Sequence, residues 1–157
     1  TVLRKGLDRF IQLSKAFPNI EFIHIGKWTN KHGKPSNNAL NKLKSDASAN
    51  IKFLGFVSYD ILKRTFQESK IYLQLSRHEA FGVSVLEAMK YGCVPIVTNV
   101  YALPEVVGIN GFIVQNKNEC ISAIKKVLSN QYAQKIRINP LFDLSERKAA
   151  FERLIAH

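Results

Sequence analysis

The chain has 157 residues, of which 46% are hydrophobic and 22% charged, as in one ordinary globular domain. Its 23 Lys and Arg exceed its 12 Asp and Glu and give a net charge of +11, but the basic residues are spread along the chain without a dense cluster interleaved with aromatic residues. This spread disfavours a nucleic-acid-binding protein. No apolar run reaches the roughly 18–20 residues that a membrane-spanning helix needs.

Helical and strand-like patterns alternate along the chain. In chain order, the apolar spacing predicts a helix over 5–16, a strand over 20–25, a surface loop over 27–38, a helix over 39–47, a strand over 51–54, a helix over 58–68, a strand over 71–75, a helix over 83–91, a strand over 94–98, a short helix over 102–107, an extended segment over 112–114, a helix over 118–128 and a last helix over 145–156. Ser58 is predicted to cap the helix that follows it, and Gly92 to end the preceding helix in a left-handed conformation.

This alternation predicts the fold class. Short, continuous apolar strands separated by amphipathic helices are typical of an α/β protein with a parallel sheet covered by helices on both faces. In such sheets ligands bind beyond the carboxyl ends of the strands, where helix N-termini point. Of the strand-to-helix junctions after Ile25, Leu54 and Leu75, the third is the richest in polar residues and glycine, so it is the candidate site.

The segment after Leu75 combines two acidic residues with a glycine that opens a helix. Glu79 lies in the loop, Gly82 precedes the helix, and Glu87 lies one turn beyond Val83 on the same helical face. Backbone N–H groups at a helix start bind anions, and Gly82 lets a phosphate approach the main chain closely. Apolar residues occupy nearly the whole circumference of this helix, which predicts burial on most sides and a need for a polar partner at Glu87.

These features suit a sugar nucleotide. Glu79 can accept hydrogen bonds from the hydroxyls of a hexose, and Glu87 can accept them from the two ribose hydroxyls. The diphosphate between the two sugars would then rest on the N–H groups of Gly82 and Val83.

The same segment resembles the E-x7-E motif of the retaining glycosyltransferases with the GT-B fold. Glu79 and Glu87 have seven residues between them, with Phe-Gly and EAM-x-x-G in the same frame. Other stretches agree with the family's pattern in the right order: KG at 5–6, FLG-x-V within 51–58, a G-x-x-E-V-V-like turn at 101–108 and a closing helix at 142–154. The likeness covers about the whole chain and implies a Rossmann-like parallel sheet, the C-terminal half of a GT-B fold.

Carried over residue by residue, the resemblance implies a donor-binding site. Glu79 would contact the donor sugar, and Lys5 would neutralise the diphosphate, so both are the expected catalytic residues. Phe81, Gly82 and Val83 would offer backbone N–H groups to the sugar and the diphosphate.

The resemblance also assigns the nucleoside and the reaction. Glu87 would hold the ribose, and Val57 would meet the base through its main chain. The enzyme would transfer a hexose from a nucleotide-diphosphate donor to a hydroxyl of an acceptor, either a glycan or a lipid-linked molecule. The transfer would retain the configuration of the sugar. The family usually needs no metal, so no cofactor is expected.

On this interpretation, residues 1–157 form a single donor-binding domain of a longer protein, without its acceptor-binding N-terminal domain and first strand. The family's arginine ahead of Lys5 would belong to that strand, and Arg4 is a candidate substitute. Cys93 and Cys120 lie in apolar stretches without metal-ligand spacing, which favours buried thiols and a cytoplasmic location. The basic charge would also permit peripheral contact with an anionic membrane.

Other interpretations stay open from the sequence. Glu79 can simply complement a helix dipole, and Glu87 can be an ordinary helical glutamate. His78 can be a general base or can orient Glu79, and Arg77 is expected to be solvated. The domain can also be a non-catalytic basic module for nucleic acid or a protein partner, or part of a sugar-nucleotide epimerase of the same fold.

Overall fold

The computed structural model describes residues 3–26, 38–129, 132 and 136–137. Within them, helices and strands alternate as follows: α1 (Leu7–Ser14), β1 (Phe22–Ile25), α2 (Asn38–Ser45), β2 (Ile51–Gly55), α3 (Tyr59–Glu68), β3 (Ile71–Gln74), α4 (Val83–Lys90), β4 (Val94–Thr98), α5 (Leu103–Val107), β5 (Phe112–Val114) and α6 (Lys117–Leu128). Every element predicted for these residues is present, with ends that differ by at most two residues. The predicted loop, apart from Asn38, and the predicted helix over 145–156 lie outside the described residues.

The helix ends show how local sequence sets the element boundaries. Gly92 has a φ of 89°, so it ends α4 in the left-handed conformation predicted for it. Ser58 occupies the predicted N-cap of α3, but its side chain makes no capping hydrogen bond. Asn116 caps α6 fully, because its side chain accepts from the N–H of Glu119 at 3.0 Å while its amide donates to the Glu119 carboxylate at 2.6 Å.

The strands form two parallel sheets. In the first, β1 pairs with β2, and Phe22 lies opposite Ile51. In the second, β4 lies between β3 and β5, and Ile71 lies opposite Val94. Among the described strands no ladder joins β1 to β3, and a cleft of about 520 Å³ separates them.

Strand β4 is the centre of the core, and all five of its residues are buried. Successive side chains of a strand point to opposite faces, so Ile96 and Val97 belong to different clusters. The first cluster includes residues of α1, β5 and α6, namely Leu7, Ile11, Val114 and Ile124. The second includes residues of α4 and α5, namely Val85, Met89, Leu103 and Val107. Helices therefore cover both faces of this sheet, as predicted.

Helix α4 is buried on most sides, as predicted, except at its ends. It buries Val85, Ala88 and Met89 against the second sheet and α5, and its Leu86 is half-buried. Val83, at the start of the helix, is the exception among its apolar residues and is 57% exposed.

Both cysteines are free and buried, as predicted. Burial raises the pKa of the Cys93 thiol to about 11 and that of Cys120 to about 12, so both stay protonated at neutral pH. None of the helices in the described ranges has the length and apolar character required to cross a bilayer.

Candidate functional site

The site is built where the turn before α1 rests on the carboxyl end of β3. Gly6 adopts a φ of 80°, and a Cβ atom at this position would lie 2.0 Å from the carbonyl oxygen of Leu75. Only glycine permits both this left-handed backbone and this close approach. The turn that carries Lys5 is therefore held directly against the segment that follows β3.

Arg77 fastens the same two segments together. Its backbone N–H donates to the carbonyl of Arg4 at 2.8 Å, and Nη1 donates to the carbonyl of Leu3 at 2.8 Å. Its guanidinium also binds Asp8 at both oxygens, at 2.8 and 2.6 Å. Arg77 is exposed, as expected for a solvated side chain, but it also pairs with a carboxylate 69 residues away in the sequence, which the sequence does not predict. The hydrogen bond from Arg77 lowers the pKa of the Asp8 carboxyl despite its partial burial.

Lys5 and Glu79 are in contact, although 74 residues separate them in the chain. The Lys5 ammonium binds Oε2 of Glu79, whose side chain is only 12% exposed. The same oxygen accepts a second hydrogen bond, from Nε2 of Gln74 at 2.8 Å. The two residues that the resemblance selects for catalysis therefore form one charged pair at the sheet edge.

Gly82 places the start of α4 beside this pair. Its φ is 88°, and a Cβ atom here would lie 2.6 Å from Cδ2 of the fully buried Leu103, so glycine is required for conformation and for packing. The N–H groups at the very start of a helix have no partner inside it, and here the first local bond is from the N–H of Val85 to the carbonyl of Gly82 at 2.9 Å. The first turn lies between solvent and core, because Val83 is 57% exposed and Val85 is fully buried.

The cleft between β1 and β3 contains the remaining predicted residues that can meet a nucleoside. Lys5, Val57 and the half-buried Glu87 line it, together with Gln74 and Ser84. The other four predicted site residues are not part of its lining, namely Glu79, Phe81, Gly82 and Val83. Glu79 contacts the cleft through Lys5 and Gln74, and the half-buried Phe81 packs against the cluster formed by α4 and α5.

The buried polar network around Gln74 that supports Glu79 was not predicted from the sequence. Gln74 is 7% exposed and accepts a hydrogen bond from the hydroxyl of Tyr72 at 2.8 Å. Its Nε2 donates to Oγ of Ser76 at 2.8 Å as well as to Glu79. Part of the Tyr72 ring lines the cleft, but burial around its hydroxyl raises its pKa to about 12. The signal was a glutamine inside an otherwise apolar strand, which needs partners when buried.

His78 contacts Tyr101 of the loop after β4. Nδ1 of His78 lies 3.0 Å from the Tyr101 hydroxyl, and the ring centroids are 5.8 Å apart. Tyr101 is 68% exposed and has a φ of 48°. This left-handed conformation is unfavourable for any residue other than glycine. No three His, Cys, Asp or Glu side chains gather as a metal site within the described ranges.

The fold and the site define a class of protein: a parallel α/β domain in which a glycine opens a helix beside a lysine–carboxylate pair. The chain belongs to the glycosyl transferases group 1 family, whose model matches residues 2–139. It is 24% identical to glycogen synthase of Thermosipho melanesiensis over 89% of this chain and 31% of that protein.

Two solved structures share the fold. HepE of Anabaena, determined with UDP and glucose, matches 99% of this chain and 46% of its own with a TM-score of 0.77 and 22% identity. The C-terminal domain of LpcC, a glycosyl transferase group 1 family protein of Francisella tularensis, matches 82% of this chain and 71% of its own with a TM-score of 0.65 and 24% identity. The predicted fold, the C-terminal half of a GT-B glycosyltransferase, is confirmed. The chain spans less than half the length of the glycogen synthase and of HepE.

Proposed function

We propose that this chain is the donor-binding domain of a glycosyltransferase that moves a hexose from a nucleoside-diphosphate sugar to an acceptor hydroxyl with retention of configuration. The observation that carries the proposal is the contact between Lys5 and Glu79 beside the start of α4, where Val83 is exposed. A cation, a helix N-terminus and a carboxylate that can accept sugar hydroxyls together match the charge pattern of a sugar diphosphate.

The diphosphate would lie between Lys5 and α4. Its oxygens would accept hydrogen bonds from the N–H groups of Gly82 and Val83, and the positive end of the helix dipole would add to the charge of Lys5. As the bond from the anomeric carbon to the diphosphate breaks and the acceptor oxygen bonds on the same face, negative charge grows on the leaving diphosphate. Lys5 and the helix start would stabilise that charge without a metal.

The sugar and the nucleoside would lie on opposite sides of the diphosphate. Glu79 and the N–H of Phe81 would hold the sugar, while Glu87 would accept both ribose hydroxyls from its position on the cleft wall. Val57, which lines the same cleft, would contact the base through its backbone. The structural likeness to HepE, whose structure contains UDP and glucose, makes UDP-glucose the first donor to test.

The chain would form one domain of a longer enzyme. β1 and β3 run parallel to their own partners, and apolar side chains of both strands, including Ile23, Ile71 and Leu73, line the deep part of the cleft between them. A further apolar strand from a preceding segment would fill this gap and join the two sheets. An N-terminal domain before that strand would bind the acceptor, a glycan or a lipid-linked sugar. The net charge of +11 would favour approach to an anionic membrane surface, and the two free, buried thiols would favour a cytoplasmic enzyme.

Calorimetric titration of the longest natural form of the polypeptide with UDP, GDP and ADP tests the donor site. Glu87→Ala should weaken the preferred nucleotide by roughly 10-fold or more, because two hydrogen bonds to a carboxylate are lost. Glu68→Ala, which removes an exposed glutamate at the end of α3, is the matched control and should leave affinity unchanged. The alternative, a basic binding module, predicts a different result. The protein would bind any polyanion, its affinity would fall steeply with salt, and substitution of Glu79 or Glu87 would not change that affinity.

A further inference from the structure

Lys5 has two roles that compete. In the structure its ammonium binds Oε2 of Glu79, yet donor binding requires the same ammonium at the diphosphate. A diphosphate carries more negative charge than one carboxylate, so it draws the ammonium away from Glu79. The incoming anion also repels the carboxylate. Glu79 therefore needs a second restraint that a diphosphate cannot remove.

We propose that Gln74 is that restraint, a positioning residue that holds Glu79 in its sugar-binding orientation after Lys5 turns to the donor. The inference rests on the proposed donor site. Gln74 donates to Oε2 of Glu79 at 2.8 Å, the same oxygen that Lys5 binds. Its amide is neutral, so a diphosphate does not attract it strongly, and although Gln74 lines the cleft it is only 7% exposed.

The amide is fixed from three sides. One N–H of Nε2 donates to Ser76 and the other to Glu79, while Oε1 accepts from Tyr72. A flipped amide would place its carbonyl oxygen against the carboxylate oxygen of Glu79, which is repulsive. Ser76 is fully buried, and its carbonyl accepts from Oγ1 of Thr98 at 2.6 Å, so the network is anchored in β4. Such satisfied buried networks are rigid.

The two carboxylate oxygens of Glu79 differ in their protein contacts. Oε2 accepts both protein hydrogen bonds. Within the part of the chain that the structure describes, Oε1 accepts none, so it is the oxygen that presents itself to a sugar hydroxyl. Gln74 thus acts on sugar recognition through Glu79, because the hydrogen bonds of its amide are made to protein groups.

The test compares the affinities of UDP and UDP-glucose, with GDP and GDP-mannose as a second pair, for the longest natural form of the polypeptide. Gln74→Leu should lower the ratio Kd(nucleotide)/Kd(sugar nucleotide) by about 10-fold. Because both ligands share the nucleotide, a change in Kd that is common to both cancels in this ratio. Gln67→Leu, the same exchange at an exposed position of α3, should change neither value.

A double-mutant cycle separates positioning from general damage. Glu79→Gln should lower the ratio at least as much as Gln74→Leu, and the combination should lower it little further, because Gln74 acts through Glu79. Additive losses, or a Gln74→Leu variant that weakens nucleotide and sugar nucleotide equally, overturn the proposal for Gln74 and leave the donor site standing. If neither nucleotide pair binds the unaltered protein, the donor site itself is refuted, and the role of Gln74 with it.

Tyr72→Phe answers the same question should Gln74→Leu fail to fold. It removes the hydroxyl that holds Oε1 of Gln74 and keeps the ring in the core. The amide then loses one of its three restraints, so Glu79 is held less firmly and the ratio should fall about threefold. An unchanged ratio in a folded Tyr72→Phe protein contradicts the proposal.

Discussion

Gly82→Ala should destabilise the domain far more than the same exchange at Gly92. Both glycines have nearly the same backbone, with φ of 88° and 89°. A left-handed conformation costs a residue with a Cβ about 1–2 kcal/mol, so this penalty is common to both sites. The reduced entropy of the unfolded chain, which favours alanine, is also common to both and cancels in the comparison.

The two sites differ in the space around a new methyl group. At Gly82 a Cβ would lie 2.6 Å from Cδ2 of Leu103, whereas at Gly92 no atom lies within 4 Å. Leu103 is fully buried and cannot move away freely. Overpacking should therefore lower the free energy of unfolding of Gly82→Ala by about 1–3 kcal/mol more. Leu103→Ala removes the opposing atom and should reduce this extra cost by about 1 kcal/mol in the double variant.

Urea unfolding at 25 °C measures both free energies, and the difference between the two alanine variants isolates the contact with Leu103. The same substitution should also shift the start of α4 and weaken nucleotide binding, while Gly92→Ala keeps the affinity. Equal free energies of unfolding for Gly82→Ala and Gly92→Ala would refute the account of how α5 positions the helix start.

Three further predictions concern Lys5, the ion pair between Asp8 and Arg77, and the cleft between β1 and β3. Lys5→Ala should weaken the preferred nucleoside diphosphate by about 10-fold or more in calorimetric titration, whereas Lys63→Ala, at an exposed position of α3, should not change it. Because Arg77 lowers the pKa of Asp8, the Asp8–Arg77 pair should stabilise the fold fully at pH values above 3.8, the ordinary aspartate pKa. This contribution should be lost as the pH falls below 3.8 and through the lowered pKa of Asp8 in the fold. Arg77→Met should therefore be less stable than the unaltered protein at pH 6, and the difference should shrink toward pH 3 in urea unfolding; a constant difference argues against the pair as its source. If a strand ahead of β1 fills the gap between β1 and β3, as proposed, a polypeptide that includes this strand should melt several degrees higher, at about 2–4 °C per kcal/mol; an unchanged melting temperature contradicts that gap-filling role.

The sequence predicts the elements well because their signals are local. The continuous apolar run of β4 indicates a strand covered on both faces, and Gly92 marks a helix end whatever surrounds it. The spacing of Glu79 and Glu87 likewise depends on one loop and one helix. Such patterns need no knowledge of distant residues, so the α/β architecture followed from them.

The remaining features depend on contacts between distant segments. The ion pair of the exposed Arg77 was not predicted, because nothing near Arg77 in sequence shows that Asp8 lies within reach. Gln74 carried a signal, a polar residue in an apolar strand, but its partners became visible only in the folded chain. The exposure of Val83 depends on which side of α4 meets the sheet, which a pattern that is apolar on all sides cannot indicate.

A crystal structure with UDP bound would test the central claim most directly. The account predicts diphosphate oxygens within about 3 Å of the backbone nitrogen of Val83 and of Nζ of Lys5, with Glu79 still hydrogen-bonded to Gln74. UDP bound elsewhere, with Lys5 remaining on Glu79 and the start of α4 without a phosphate, would contradict it.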